Sequence, residues 1–344
     1  MLNVKIIKKD ALVNNYLFCV SKCKRVMAIV KANAYGHGMR DIATILEKYC
    51  DWFGVATFNE AIELSEILNH KKKILVIGKS ENYYQLIKNR IHITVDNIED
   101  IHTISKICKL LKKKAYIHIA INTGMNRIGV KTVEEYKAIL DEIRINNSIV
   151  LVGIFTHMFD GNKKENHNIN QLLEFEKYVN QTNRKVLVHI GGSYCINNFI
   201  PSYVDFVRVG YFLYGYGNEC VKPVMEITSR IIKIVKCNHG ENVGYGSNVL
   251  KKNRTIAIVP FGYADGLPQR ISNKGYVLVN NTKCGIIAKV CMDSIMVDIS
   301  KTSAVVGDTV KVLFDAEKIA NWAGTSNYEV LTNFGKSRTK SLII

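Results

Sequence analysis

The chain has 344 residues, nearly half of them hydrophobic, enough for one large or two medium domains with a sizeable core. No stretch approaches the roughly 18 consecutive apolar residues of a membrane span, and the charged N-terminus, Met1 to Asp10, lacks the apolar core of a signal peptide, so a cytoplasmic protein is expected. The net charge of +17 invites a nucleic-acid partner, but no basic stripe interleaved with aromatics is present; Lys71 to Lys73 and Lys112 to Lys114 read as solvated helix ends, and no nucleic acid is expected.

Short apolar runs at 25–31, 52–56, 73–78, 91–95, 115–121, 150–157, 185–190 and 206–210 predict strands. Amphipathic stretches separate them. One, Phe58 to Leu68, is opened by Thr57 and Glu60 at the spacing of a capping box. Another, Thr132 to Ile145, sets Tyr136, Ile139, Leu140 and Ile143 on one helical face. This strand–helix alternation predicts an α/β fold, a (β/α)₈ barrel of the TIM type, with a doubly wound open sheet as the alternative. In a barrel, functional side chains gather at the C-terminal ends of strands. Lys31, His157, Ser193 and Arg208 all fall at or just after such ends. From Pro223 the texture changes to short β-like runs between Asn/Gly turns, at 225–236, 255–260, 276–280, 284–290, 295–299 and 309–314. The expected division is a barrel over 11–222 and a β-rich domain over 223–344, with 1–10 outside the barrel. The nine cysteines have neither disulfide-like nor zinc-like spacing, so free thiols and no metal are expected.

The first strand ends on a cation: Ala28-Ile29-Val30-Lys31, followed by the turn Ala32-Asn33-Ala34-Tyr35-Gly36-His37-Gly38. A strand whose last position is an ammonium group places a cation in a cleft. This run resembles the pyridoxal-phosphate (PLP) lysine motif of the alanine racemase family, and the resemblance extends over nearly the whole chain. It implies a PLP-binding barrel, a β-rich C-terminal domain joined by the strand around Val4 to Ile7, and racemisation of a small amino acid. Lys31 would condense with the PLP aldehyde and then act as a base. PLP supplies an electron sink that no side chain matches.

The resemblance assigns further roles. Tyr35, Ser193 in His189-Ile190-Gly191-Gly192-Ser193, and the amides of Gly210 and Tyr211 would hold the cofactor phosphate. Arg208 would face the pyridine nitrogen. Arginine does not readily release its proton, so that nitrogen would stay unprotonated. Tyr245, in Val243-Gly244-Tyr245-Gly246, matches the second base, with His157 as its neighbour, linked onward to Arg208. Because Tyr245 belongs to the β domain, the family's arrangement implies a homodimer with shared sites. Cys291-Met292-Asp293 resembles a substrate-site tripeptide, Tyr263 lies in a run near the entrance, and Tyr328 in Asn327-Tyr328-Glu329 would narrow the pocket.

The pattern breaks near Thr123-Gly124-Met125-Asn126-Arg127-Ile128-Gly129. Asn122 stands where the family has Asp, and Ala120 where it commonly has a carbamylated lysine that binds the arginine. Arg127, a substrate-site candidate, is therefore expected either to find another acceptor (a chloride, a carboxylate or Asn122) or to swing into solvent and need none. Gly192 replaces a common Asn, and Gly335 to Lys340 follows the family ending only loosely. The leading reading is L-alanine to D-alanine racemisation in the service of the cell wall. Alternatives are a serine racemase domain of the vancomycin-resistance type, possibly cut from a membrane-anchored parent, and a broader-specificity racemase. A fold-related decarboxylase fits the Gly-Tyr-Gly base poorly, and a PLP-homeostasis protein would lack residues 223–344.

Overall fold

The computed structural model describes residues 2–159, 165–197, 200–335 and 338–344. Two compact units divide the chain. One comprises Met1–Ala11, Tyr35–Asp41 and Pro223–Ile344; the other comprises Leu12–Ala34 and Ile42–Lys222.

The first unit contains β1 (Val4–Ile7). The second is a closed barrel of eight parallel strands: β2 (Val26–Ile29), β3 (Trp52–Val55), β4 (Lys73–Val76), β5 (His92–Val95), β6 (Ala115–Ala120), β7 (Ile149–His157), β8 (Leu187–Gly191) and β9 (Phe206–Val209), with β9 pairing back onto β2. Closure settles the choice against an open sheet. The helix Phe58–Ile67 has both halves of the capping box, Thr57 with Glu60, and Val133–Ile145 has its own, Thr132 with Glu135. Tyr136, Ile139 and Leu140 are buried as the helical periodicity requires.

The barrel interior is unusually polar. His118 on β6 lies 2.9 Å from His189 on β8 through their ring nitrogens, although β7 separates those strands. Two rings can meet across a strand only by pointing inward. Gly153 on β7 makes room: a Cβ there would lie 2.5 Å from His118 Nδ1. Stacked aromatic pairs, Trp52 with Phe206 and Phe206 with His189, fill the remaining interior.

The first unit adds β10 (Met225–Arg230), β11 (Lys233–Cys237), β12 (Arg254–Val259), β13 (Tyr276–Val279), β14 (Thr282–Ile287), β15 (Ile295–Asp298), β16 (Thr309–Leu313) and β17 (Lys340–Ile343). With β1 they form a nine-stranded sheet in the order β11-β12-β15-β14-β13-β16-β10-β1-β17. β1 runs antiparallel to β10 and parallel to β17. The single run expected over 225–236 is broken into β10 and β11 at Ile231–Ile232. Two helices, Ala316–Ala323 and Asn327–Phe334, also lie here, in a region expected to be β-like or irregular. Their start signals, Asp315 and Ser326 accepting backbone amides, are present in the sequence, but each helix spans only two turns and so carries little periodicity. No helix among the described residues is long and apolar enough to cross a membrane.

Candidate active site

The barrel's C-terminal mouth gathers the barrel residues singled out from the sequence. Lys31 follows β2 and opens a turn of unusual hand: Ala32, Asn33, Ala34 and Tyr35 all have positive φ, between 51° and 54°. Left-handed conformations cost L-residues roughly 1–2 kcal/mol each, and such strain concentrates at functional sites. One carboxylate braces the turn. Glu60 Oε1 accepts from Ala32 N at 2.6 Å and Oε2 from Ala56 N at 2.8 Å, so it ties the chain after β2 to the end of β3. The sequence marked Glu60 only as a helix cap; nothing in the capping spacing signals this second duty.

Lys31 is half-buried. Burial lowers its pKa, the Arg127 and Arg208 guanidiniums lower it further, and Glu60 opposes them. A lysine that releases its proton more readily than usual suits both carbonyl condensation and proton abstraction.

Arg208 is 3% exposed, and no carboxylate among the described residues pairs with it. Its Nη1 meets His189 Nδ1 at 2.8 Å, its Nη2 donates to Thr156 O at 2.7 Å and meets His157 Nδ1 at 3.4 Å, and its charge lies over the Phe155 ring at 4.5 Å. Burial lowers its pKa to about 9. Guanidinium only donates, which settles the tautomers downstream. His189 accepts at Nδ1, so Nε2 carries the proton and donates to His118 Nδ1; His118 Nε2 then donates to His92 Nδ1 at 3.1 Å. Burial keeps all three imidazoles neutral, with His92 lowered to about 3. By the same logic His157 bears its proton on Nε2, and burial, helped by Arg208, lowers it to about 3. Gly191 leaves room for this packing: a Cβ would fall 2.1 Å from Arg208 Nη2 and 2.4 Å from His157 Nδ1. His118 and His92 escaped the sequence reading because single histidines in apolar runs look like ordinary core residues.

Ser193 opens a short 3-10 turn after β8, and its Oγ accepts from the amides of Gly210 at 3.2 Å and Phe212 at 3.3 Å. The expected amide pair was Gly210 and Tyr211. The two bonds from Gly210 and Phe212 fix the Ser193 hydroxyl against the turn after β9, with Tyr211 between the two bonded residues in the chain. A serine hydroxyl held in place by two amides, the Gly210–Tyr211 turn beside it and Gly192 at φ +113° compose a cradle suited to a phosphate. With Lys31 and a buried cation that does not readily give up its proton, the donor set fits a phosphorylated pyridine aldehyde.

Arg127 takes the second of its two expected courses. It is exposed, and none of the described residues accepts a hydrogen bond from it. Asn122 is committed elsewhere: its Oδ1 accepts from Gly124 N at 3.1 Å and Asn126 N at 2.9 Å. The premise of a partly desolvated guanidinium therefore fails, since water can serve it. A gap of about 10 Å³ lies beside Ala120, bounded also by Arg127, His157 and Arg208.

The sheet-rich unit carries the remaining candidates. Tyr245 is 68% exposed, on a loop fixed by asparagines: Asn242 Nδ2 donates to Gly244 O at 2.9 Å and Asn248 Nδ2 to Tyr245 O at 2.7 Å. Tyr263 N donates to Cys291 O at 3.0 Å and Ala264 N to Met292 O at 3.1 Å, stitching the two site loops together. Gly262 permits that approach, since a Cβ would fall 2.2 Å from Met292 O. Burial raises the Cys291 pKa, which suits packing rather than nucleophilic chemistry. Asp293 pairs with Arg338 at 2.8 Å, and Arg338 also grips the buried Asp265. Tyr328 lies in the first turn of Asn327–Phe334, its ring centroid 6.0 Å from that of Tyr35, whose phenol burial raises to about 12, so that it remains a donor. Within the loosely matching ending, Lys336 and Ser337 lie outside the described residues.

Comparison with known proteins agrees with this geometry. A family model described as "Alanine racemase, N-terminal domain" matches residues 7–218, and "Alanine racemase, C-terminal domain" matches 224–342. An alanine racemase of Fusobacterium nucleatum is 35% identical over 360 residues, covering 100% of this chain and 97% of that protein. Among solved structures, an alanine racemase of Clostridium difficile 630 is 30% identical with TM-score 0.92, covering 100% of this chain and 96% of that one. One from Bartonella henselae, with covalently bound pyridoxal phosphate, is 28% identical with TM-score 0.90, and each chain is covered in full. The chain belongs to the alanine racemase family.

Proposed function

We propose that the protein is a PLP-dependent alanine racemase acting by two bases, Lys31 and Tyr245. The observation that carries the reading is the pairing of Lys31, its pKa lowered by burial and two guanidiniums, with a buried Arg208 that has no carboxylate among the described residues. Ser193 and the amides of Gly210 and Tyr211 would hold the phosphate of PLP, with Tyr35 donating to it and Lys31 joined to the aldehyde. PLP held there would supply an electron sink that acidifies the substrate Cα proton. Arg208 keeps that sink moderate, because a guanidinium offers hydrogen bonds but no ready proton. Its position is fixed by His189, Thr156 O and Phe155.

Lys31 takes or returns the Cα proton on one face, serving the D-enantiomer. Tyr245 serves the L-enantiomer on the other. His157 Nε2–H is the donor available to stabilise the Tyr245 phenolate. Tyr245 is largely exposed on a rigid loop of its own unit, which supports a homodimer whose sites draw Lys31 from one subunit and Tyr245 from the other. Asp293, Met292, Cys291 and Tyr263 would line the substrate entrance, Tyr328 would restrict the pocket to a small side chain, and Arg127 would serve the substrate side. We place the functional division at 222/223, where the two compact units also part, although Tyr35–Asp41 belongs to the sheet-rich one. Nine free thiols suit a cytoplasmic setting.

The substrate test is direct. Incubation with L-alanine and with L-serine, followed by chiral chromatography, should give D-alanine at least about tenfold faster than D-serine, a discrimination of the size one polar atom commands in a small pocket. Faster D-serine formation would favour the serine racemase reading, to which Ala120, Asn122 and Gly192 would then belong.

A further inference from the structure

The run Lys71 to Lys73 is not a helix end. The helix Phe58–Ile67 closes at Leu68, and Lys73 is the first residue of β4. With Lys24 and Arg25 before β2 and Asp51 before β3, the run lines a cavity of 520 Å³. That volume lies within the 300–1,000 Å³ typical of small-molecule sites. Five cations face it and one carboxylate. Asp51 meets Lys72 at 3.5 Å, Lys24 Nζ donates to Ser202 O at 2.6 Å, and Lys73 Nζ lies 5.1 Å over the Trp52 ring. No carboxylate among the described residues pairs with Lys24, Arg25, Lys71 or Lys73. Cations gathered around a concave wall focus their field into it and raise the local concentration of anions.

The cavity lies at the opposite mouth from Lys31. β2 begins beside it at Val26, and Lys31 lies five residues further on, about 16 Å at the rise of a strand. Buried Trp52, His118 and Phe206 fill the barrel between the two mouths. The cations stand at the entrances of β2 and β4, on either side of Asp51 before β3, and so lie about 10 Å apart at the usual strand spacing. A single phosphate is too small to reach all of them; a chain of phosphates is not. Tyr49 and Leu17, both exposed at the rim, add an apolar edge.

We propose that this N-terminal mouth is a second, non-catalytic site for a small molecule bearing a chain of two or three phosphates. The chain could belong to a nucleotide or be inorganic, and the test separates the two. The PLP-loaded protein is titrated calorimetrically at 0.15 M salt with inorganic tripolyphosphate and with ATP free of magnesium. Saturable binding with Kd on the order of 10–100 µM is expected. ATP binding tighter than tripolyphosphate would mean that the rim takes a base; equal affinity would assign recognition to the phosphate chain alone. Lys71→Gln combined with Lys73→Gln should weaken binding at least tenfold, and Arg25→Gln alone should weaken it severalfold. Lys106→Gln combined with Lys109→Gln removes the same charge from exposed positions on another helix and should leave binding unchanged. Equal weakening by the two double variants would show a diffuse field of the whole molecule and overturn the proposal, as would the absence of saturable binding below about 1 mM.

Discussion

Lys31→Ala is expected to release PLP from covalent attachment and to slow racemisation by at least about 10³-fold, since it removes a base worth roughly 10²–10⁴ along with the covalent route. The phosphate cradle around Ser193 and the position of Arg208 do not depend on Lys31. The variant should therefore still bind PLP, reversibly and with altered visible absorbance. Dialysis should strip it from the variant and leave the parent coloured. A variant that keeps both the parent spectrum and the parent rate would exclude Lys31 as the attachment point. Loss of colour together with an unfolded circular dichroism spectrum would instead report on the strained turn at Ala32 to Tyr35.

Tyr245→Phe tests the second base. It removes one hydroxyl from an exposed loop held by Asn242 and Asn248, so the fold should be unaffected. Exchange of the Cα proton from L-alanine should fall by about 10²–10⁴-fold, with much less effect on exchange from D-alanine. Equal loss from both enantiomers would contradict the division of labour. The same variant tests the shared site. Lys31→Ala and Tyr245→Phe subunits, each inactive alone, should recover activity on mixing, because a heterodimer holds one site with both bases intact. Verified subunit exchange without recovery would place both bases on one chain.

Much of the barrel was legible because strands buried on both faces are written as short apolar runs, and β2 to β9 fall where those runs fall. Lys31 and Ser193 were legible because each sits where an apolar run gives way to a glycine-bearing turn. The row His92, His118 and His189 was not. It depends on which side chains of non-adjacent strands point inward, and that is set by barrel closure rather than by local spacing. Glu60 was found for one role and missed for another, because a cap is local whereas the bond to Ala32 N spans 28 residues. The run Lys71 to Lys73 was misread for a related reason: charge alone does not tell a solvated face from the lip of a cavity.

The neutral histidines also set a limit on the acidity the barrel withstands. In the unfolded chain each titrates near 6.5, whereas in the folded barrel burial holds His92, His118, His157 and His189 unprotonated far below that. Their folded pKa values are depressed, so at acid pH the unfolded state binds more protons and stability rises with pH. Each such group contributes about 1.4 kcal/mol per pH unit once the unfolded chain is protonated. Four of them together would steepen the loss to about 5 kcal/mol per unit below roughly pH 5.5. Thermal melts at intervals from pH 8 to pH 4 should therefore show a plateau and then a steep fall. The four imidazoles that surround or continue from the Arg208 guanidinium thus make the barrel a neutral-pH structure, whatever chemistry its mouth performs.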